Sequence, residues 1–195
     1  MTPGSKETEM KVMKIQYFLV PMAVLATLFC SATILRAQKS TQINKQVDEA
    51  TAKLYASSPA AKKLSKVAKG ILVFPSVKKA GFVVGGQYGE GALRVGGKTV
   101  GYYKTTAASF GLQAGGQKFG YAMFLMTDGA LQYLKNSKGW EVGVGPSVVV
   151  VDEGLARSLT TSTVKESIYV FFFAQKGLMA GLGIQGSKIS QIHPK

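Results

Sequence analysis

The sequence predicts an α+β fold: a curved, mostly antiparallel, glycine-rich and barrel-like sheet, with N-terminal amphipathic helices before it and one helix inserted into it. Three observations carry this expectation. Apolar residues recur at helical spacing as far as Ala68 and in short or alternating runs from Gly70 onward. Those runs are divided by glycine, of which the chain has 23. The segments joining them are too short for crossover helices, so neighbouring strands are expected to run antiparallel, with glycine allowing bends and bulges.

In chain order, Ile43, Val47, Ala50 and Leu54 mark the first amphipathic helix. A second follows at once. Ser58 suits its N-cap, Pro59 its first turn and Gly70 its end. At about 100° per residue, Ala60, Ala61, Leu64, Val67 and Ala68 share one face, and lysines take the other. Strands are expected at about 71–75, 80–88, 91–96, 99–105, 107–116, 118–126, 140–144, 146–152, 167–175 and 178–187. Pro75 is expected to close the first of these. Gly96-Gly97 and Lys176-Gly177 read as hairpin turns. Gly89-Glu90-Gly91 and Asp152-Glu153-Gly154 read as turns, and Gly85-Gly86 and Gly115-Gly116 as places where the sheet bends. The inserted helix is expected over 127–136, capped by Thr127 or Asp128, with Leu131 and Leu134 inward.

The net charge is +14, which points to polyanionic partners. The densest basic cluster is Lys62, Lys63, Lys66, Lys69, Lys78 and Lys79, and no Asp or Glu lies between Ala50 and Gly89. Solvated helix faces ordinarily mix both signs, so uniform sign here favours a contact surface for anionic head groups. Nothing nominates a catalytic site. From Gln38 on there are eight carboxylates, and the one histidine, His193, lies in the tail. A glycosidase-like pair drawn from Glu90, Asp128, Glu141 and Asp152 is the enzymatic alternative. Cys30 is the one cysteine, which leaves no disulfide framework or cysteine metal site, and no cofactor is expected. Gly181, Gly183 and Gly186 spell GxGxxG, but no helix and acidic residue follow as a dinucleotide site requires.

The N-terminus reads as a targeting segment. Lys11 and Lys14 precede an uncharged stretch from Tyr17 to Leu35, with Ala32 and Ala37 as candidate cleavage positions. Residues 1–37 are therefore expected to be a signal peptide or an uncleaved membrane anchor, and residues 38–195 a single exported domain. Export to the periplasm or cell envelope argues against a nucleic-acid partner.

These residues also carry a resemblance. Ala68-Lys69-Gly70-Ile71 and Lys79-Ala80-Gly81-Phe82-Val83-Val84-Gly85-Gly86 come first, then Gly89-Glu90-Gly91. Ala108-Ser109-Phe110-Gly111-Leu112-Gln113-Ala114-Gly115-Gly116-Gln117 and Gly143-Val144-Gly145-Pro146 follow, and then Ile168-Tyr169 and Gln175 to Ser187. Over about 65–190 this order resembles the SYLF domain family. The resemblance implies a non-enzymatic, lipid-binding domain. In eukaryotic members a basic amphipathic helix is held to meet phosphoinositide-containing membranes, which here corresponds to Lys62 to Lys69 with Lys78-Lys79. With its signal segment and bare single domain the chain resembles a bacterial member, for which anionic phospholipid is the expected partner and actin is not. A scaffold role on acidic polysaccharide or protein is the structural alternative.

Overall fold

The computed structural model describes residues 38–81, 84–110, 115–176, 184 and 186–194. Gln42–His193 form one compact unit, which holds the whole sheet. The expected signal segment with Cys30, the hairpin at Lys176-Gly177 and most of the expected strand 178–187 lie outside the described residues. Among the described residues no helix is long and apolar enough to cross a membrane.

The fold is α+β, as its patterning predicts. Helix α1 covers 38–57, and from residue 42 it belongs to that unit. Its four periodic residues, Ile43, Val47, Ala50 and Leu54, are all buried. Helix α2, Pro59–Leu64, follows. Eight strands then form one curled, open half-barrel sheet: β1 Gly70–Gly81, β2 Val84–Val95, β3 Lys98–Phe110, β4 Gly115–Leu125, β5 Trp140–Glu141, β6 Val148–Val150, β7 Ile168–Lys176 and β8 Lys188–Ile192. Their order across the sheet is β5-β8-β3-β2-β1-β4-β7-β6. Helix α3, Asp128–Asn136, follows β4 with Thr127 as its cap, and Leu131 and Leu134 are buried. A second inserted helix, α4 (Glu153–Ser158), was not expected. Asp152 caps it, its carboxylate accepting from the Leu155 N–H at 2.7 Å, where the sequence suggests only a turn. The segment 151–167, with α4 in it, is long enough for a crossover, so β6 and β7 run parallel, the one exception to the antiparallel pattern among the described residues.

Alternation along each strand divides the sheet into two apolar faces. Leu72, Phe74 and Val77 of β1 pack with Tyr103, Phe119, Tyr121 and the α3 residues. Val73 of β1 packs with Ala92, Phe124 and the buried residues of α1 and α2. The first is here called the α3 face and the second the helix face. On the α3 face Gln87 Nε2, Thr105 Oγ1, Tyr121 OH and Ser187 Oγ are buried with no well-aligned hydrogen-bond partner among the described residues. Burial holds the Tyr121 hydroxyl protonated far above the ordinary tyrosine range, offset in part by the nearby Thr105 hydroxyl.

Pro75 does not end the first strand. Val73 lies opposite Ala92 and Ser76 opposite Glu90, so Phe74 and Pro75 together face the one residue Gly91. This is a β-bulge, the place in a sheet interior where a residue without an N–H is tolerated. The bulge has glycine on both flanks: Gly91 on β2, and Gly120 on β4, between the partners of Phe74 and Val77. Gly89-Glu90-Gly91 is thus mid-strand and not a turn. Gly85-Gly86 and Gly115-Gly116 pair in regular register with Ala80-Gly81 and do not mark the irregularity. The expected strand 107–116 is divided between the end of β3 and the start of β4. Gly96 and Gly97 do form the predicted turn, with φ of 57° and 80°, the left-handed values that a two-residue hairpin loop needs.

Candidate functional site

The six lysines singled out by the sequence occupy five different environments. In α2, the Ser58 hydroxyl accepts from the Ala61 N–H at 3.2 Å, and Pro59 stands where no N–H is needed. Ala60, Ala61 and Leu64 are buried against the sheet, which turns Lys62 and Lys63 to solvent. A helix of six residues is too short to persist alone, so its apolar face holds it in place. Leu64→Ala is accordingly expected to cost about 2–5 kcal/mol in chemical denaturation. The helix stops at Leu64 and does not reach Gly70. Val67 is 42% exposed, so it does not extend the buried stripe. Lys66 lies in the turn that follows. The Lys69 ammonium stands 3.4 Å from the Asp128 carboxylate, both well solvated, so this cation is partly neutralised.

Lys78 and Lys79 lie within β1 and not in a turn. Being consecutive in a strand, they project to opposite faces of the sheet. Lys79 sits opposite Gln87 and Gln117 on the α3 face. Lys78 sits opposite Tyr88 on one side and Lys118 on the other. The row continues from Tyr88 to Thr106 on β3 and to Lys188 on β8, and from Lys118 to the register position of Lys176 on β7. Lys78, Lys118, Lys188 and Tyr88 are exposed, on the face that also carries α2. Glu141 closes the far end of the row opposite Lys188. Sequence reasoning missed Lys118 and Lys188, because only strand pairing unites them with Lys78. The one local signal was Lys118 beside the inward Phe119.

Glu90 is on the same face, opposite Lys104. Its carboxylate accepts from the Tyr88 hydroxyl at 2.6 Å. That hydrogen bond, helped by partial desolvation and by the negative charge itself, raises the Tyr88 pKa to about 12. A raised folded-state pKa stabilises below the unfolded value, and the contribution is lost as pH climbs through the folded one. The window is therefore about pH 10 to 12. In ultraviolet titration Tyr88 is expected to ionise near pH 12, and Glu90→Gln to bring that phase down toward 10.

The carboxylates of the enzymatic alternative each have a local partner. Glu90 holds Tyr88, Asp128 meets Lys69, Glu141 lies opposite Lys188, and Asp152 caps α4. Among the described residues no group of three or more His, Cys, Asp or Glu side chains is placed to hold a metal.

One open groove lies beside the basic turn. It has a volume of about 440 Å³ and runs between α1, the turn after α2, β1 and the β2–β3 hairpin. Arg94 and Asp48 form an ion pair on its wall at 2.5 Å, and Lys66 stands at its edge.

Comparison with known domain families matches residues 106–193 to Ysc84, described as Las17-binding protein actin regulator. That stretch is similar to the Ysc84 (SYLF) domain family and spans a little under half of the chain. The matched stretch runs from late β3 to the end of β8 and includes Lys118 and Lys188. Lys62 to Lys79 precede it. SYLF domains are generally non-catalytic and are associated with lipid and actin binding in eukaryotes. No curated protein matches the chain.

Proposed function

We propose that this SYLF-domain chain is a non-enzymatic protein, exported to the cell envelope, that docks on anionic phospholipid. The contact is made by Lys62, Lys63 and Lys66 with Lys78, Lys118 and Lys188, all of them exposed. The observation that carries the reading is Lys78 directly opposite Lys118. Like charges in a cross-strand pair weaken a sheet, so this pair is held at a cost that an anionic partner would relieve. Lys69, tied to Asp128, and Lys79, on the opposite face, contribute less. Export rests on the uncharged stretch 17–35 behind Lys11 and Lys14.

The test is co-sedimentation with phosphatidylcholine vesicles, with and without phosphatidylglycerol. Binding is expected only to the anionic vesicles and is expected to fall with salt, because screening shortens to about 3 Å at about 1 M. Equal pelleting with both vesicle types would overturn the reading. Pelleting with actin filaments or with acidic polysaccharide alone would replace it.

A further inference from the structure

We infer that the groove beside the basic turn is a binding site for the phosphoryl group of a single amphiphile. The inference deepens the membrane-docking reading and rests on it for the source of the ligand. Its centre is Arg94, whose side chain is 19% exposed. Arg94 Nη2 donates to Asp48 Oδ1 at 2.5 Å and to the Asn44 carbonyl at 3.4 Å. Asn44 is itself fixed. Its side-chain amide donates to the Tyr102 hydroxyl at 2.9 Å and accepts from the Thr99 hydroxyl at 2.8 Å. Helix α1 and two strands thus hold one guanidinium in a set orientation. A guanidinium carries five N–H donors in a planar fork suited to phosphoryl oxygens. Here the donors on Nη1 and Nε have no partner among the described residues.

The rest of the groove fits the same ligand. Lys66 brings a second cation with no partner among the described residues, so the lining holds two cations against the one carboxylate of Asp48. Tyr55 lines the groove too, and its hydroxyl is a further donor there; burial raises its pKa, offset in part by a hydrogen bond with Ser65. Ala68 and Ile71 form an apolar wall, half-buried, beside these polar groups. A volume of about 440 Å³ lies within the range of small-molecule sites, about 300–1,000 Å³. Cations at one side and apolar surface at the other match a phosphate ester with the first carbons of a chain. They do not match a bulky zwitterionic head group, whose ammonium would meet Lys66 and Arg94.

The test uses the full chain and three soluble probes: dihexanoylphosphatidic acid as monomers, dihexanoylphosphatidylcholine as monomers, and inorganic phosphate. The readout is the backbone amide shifts of Ser65, Gly96 and Gly97. Saturable shifts with the phosphatidic acid are expected, and Arg94→Gln is expected to weaken them about tenfold or more, as loss of a charged hydrogen bond does. Thr51→Trp, which fills the groove from α1, is expected to abolish them while leaving the amide spectrum folded. Matching shifts with inorganic phosphate would identify free phosphate as a sufficient ligand. Shifts with phosphatidic acid alone would make the chain part of recognition. No shift with phosphatidic acid or with inorganic phosphate, equal response to phosphatidylcholine, or an unchanged response in Arg94→Gln would overturn the inference. Vesicle pelleting by the same variants separates the two readings. Intact pelleting without monomer binding removes only the groove, and monomer binding without pelleting removes only the docking surface.

Discussion

Gly91→Ala is expected to lower the melting temperature by about 6–12 °C, the equivalent of about 3 kcal/mol for a chain of this size. A Cβ at that position would fall 2.0 Å from the Val73 carbonyl oxygen and 2.8 Å from Phe74 Cδ1. The obstacle is backbone, and it belongs to the bulge that carries Pro75 through the middle of the sheet. Neither strand can yield without opening the β1–β2 pairing. Gly116→Ala is the matched control. Nothing lies within 4 Å of a Cβ there, and alanine restricts the unfolded chain more than glycine, so its melting temperature is expected to be unchanged or slightly higher. Equal behaviour of the two variants in thermal denaturation would mean that the bulge is not tightly packed against β2.

Lys78→Glu with Lys118→Glu is expected to weaken binding to anionic vesicles about a thousandfold at low salt. Each basic residue near an anionic surface contributes about 1 kcal/mol, and reversal adds repulsion of similar size, so two reversals remove about 4 kcal/mol. The sheet itself should tolerate the change, since both side chains are exposed and the original pair already placed like charges together. Lys79→Glu, one residue along the strand on the opposite face, is expected to have a much smaller effect. Lys62→Glu with Lys63→Glu is expected to act in the same direction as the sheet pair. Comparable losses from Lys79→Glu and from the Lys78/Lys118 pair would show that net charge, and not a particular face, governs the interaction.

The features legible in the sequence were those set by local spacing. The apolar repeat of α1 from Ile43 to Leu54, the Thr127 cap with Leu131 and Leu134, and the Gly96-Gly97 turn each depend on residues a few positions apart. The errors came where a distant strand decides the outcome. Pro75 reads as a terminator until two partner strands supply a bulge for it. Gly89-Glu90-Gly91 reads as a turn until β1 presses against it and requires glycine for its close approach. Lys78 and Lys79 read as one basic step, and strand alternation separates them. The basic row was half visible for the same reason: Lys78, Lys118 and Lys188 lie on three strands far apart in sequence, and no periodicity links them.

The two ends of the sheet carry a further consequence. Among the described residues the outermost strands are β5, two residues long, and β6, three residues long. An edge strand normally offers a ladder of unpaired backbone groups on which another molecule can grow a fibril. Each covers only part of the strand inside it: β6 pairs with Ile168–Val170 of β7, and β5 with Lys188 and Ile189 of β8. A basic protein gathered on an anionic bilayer reaches high local concentration, the condition under which edge-to-edge aggregation is most dangerous. On the docking reading proposed above, the outer rims of β7 beyond Val170 and of β8 beyond Ile189 are where molecules crowded on a bilayer would meet.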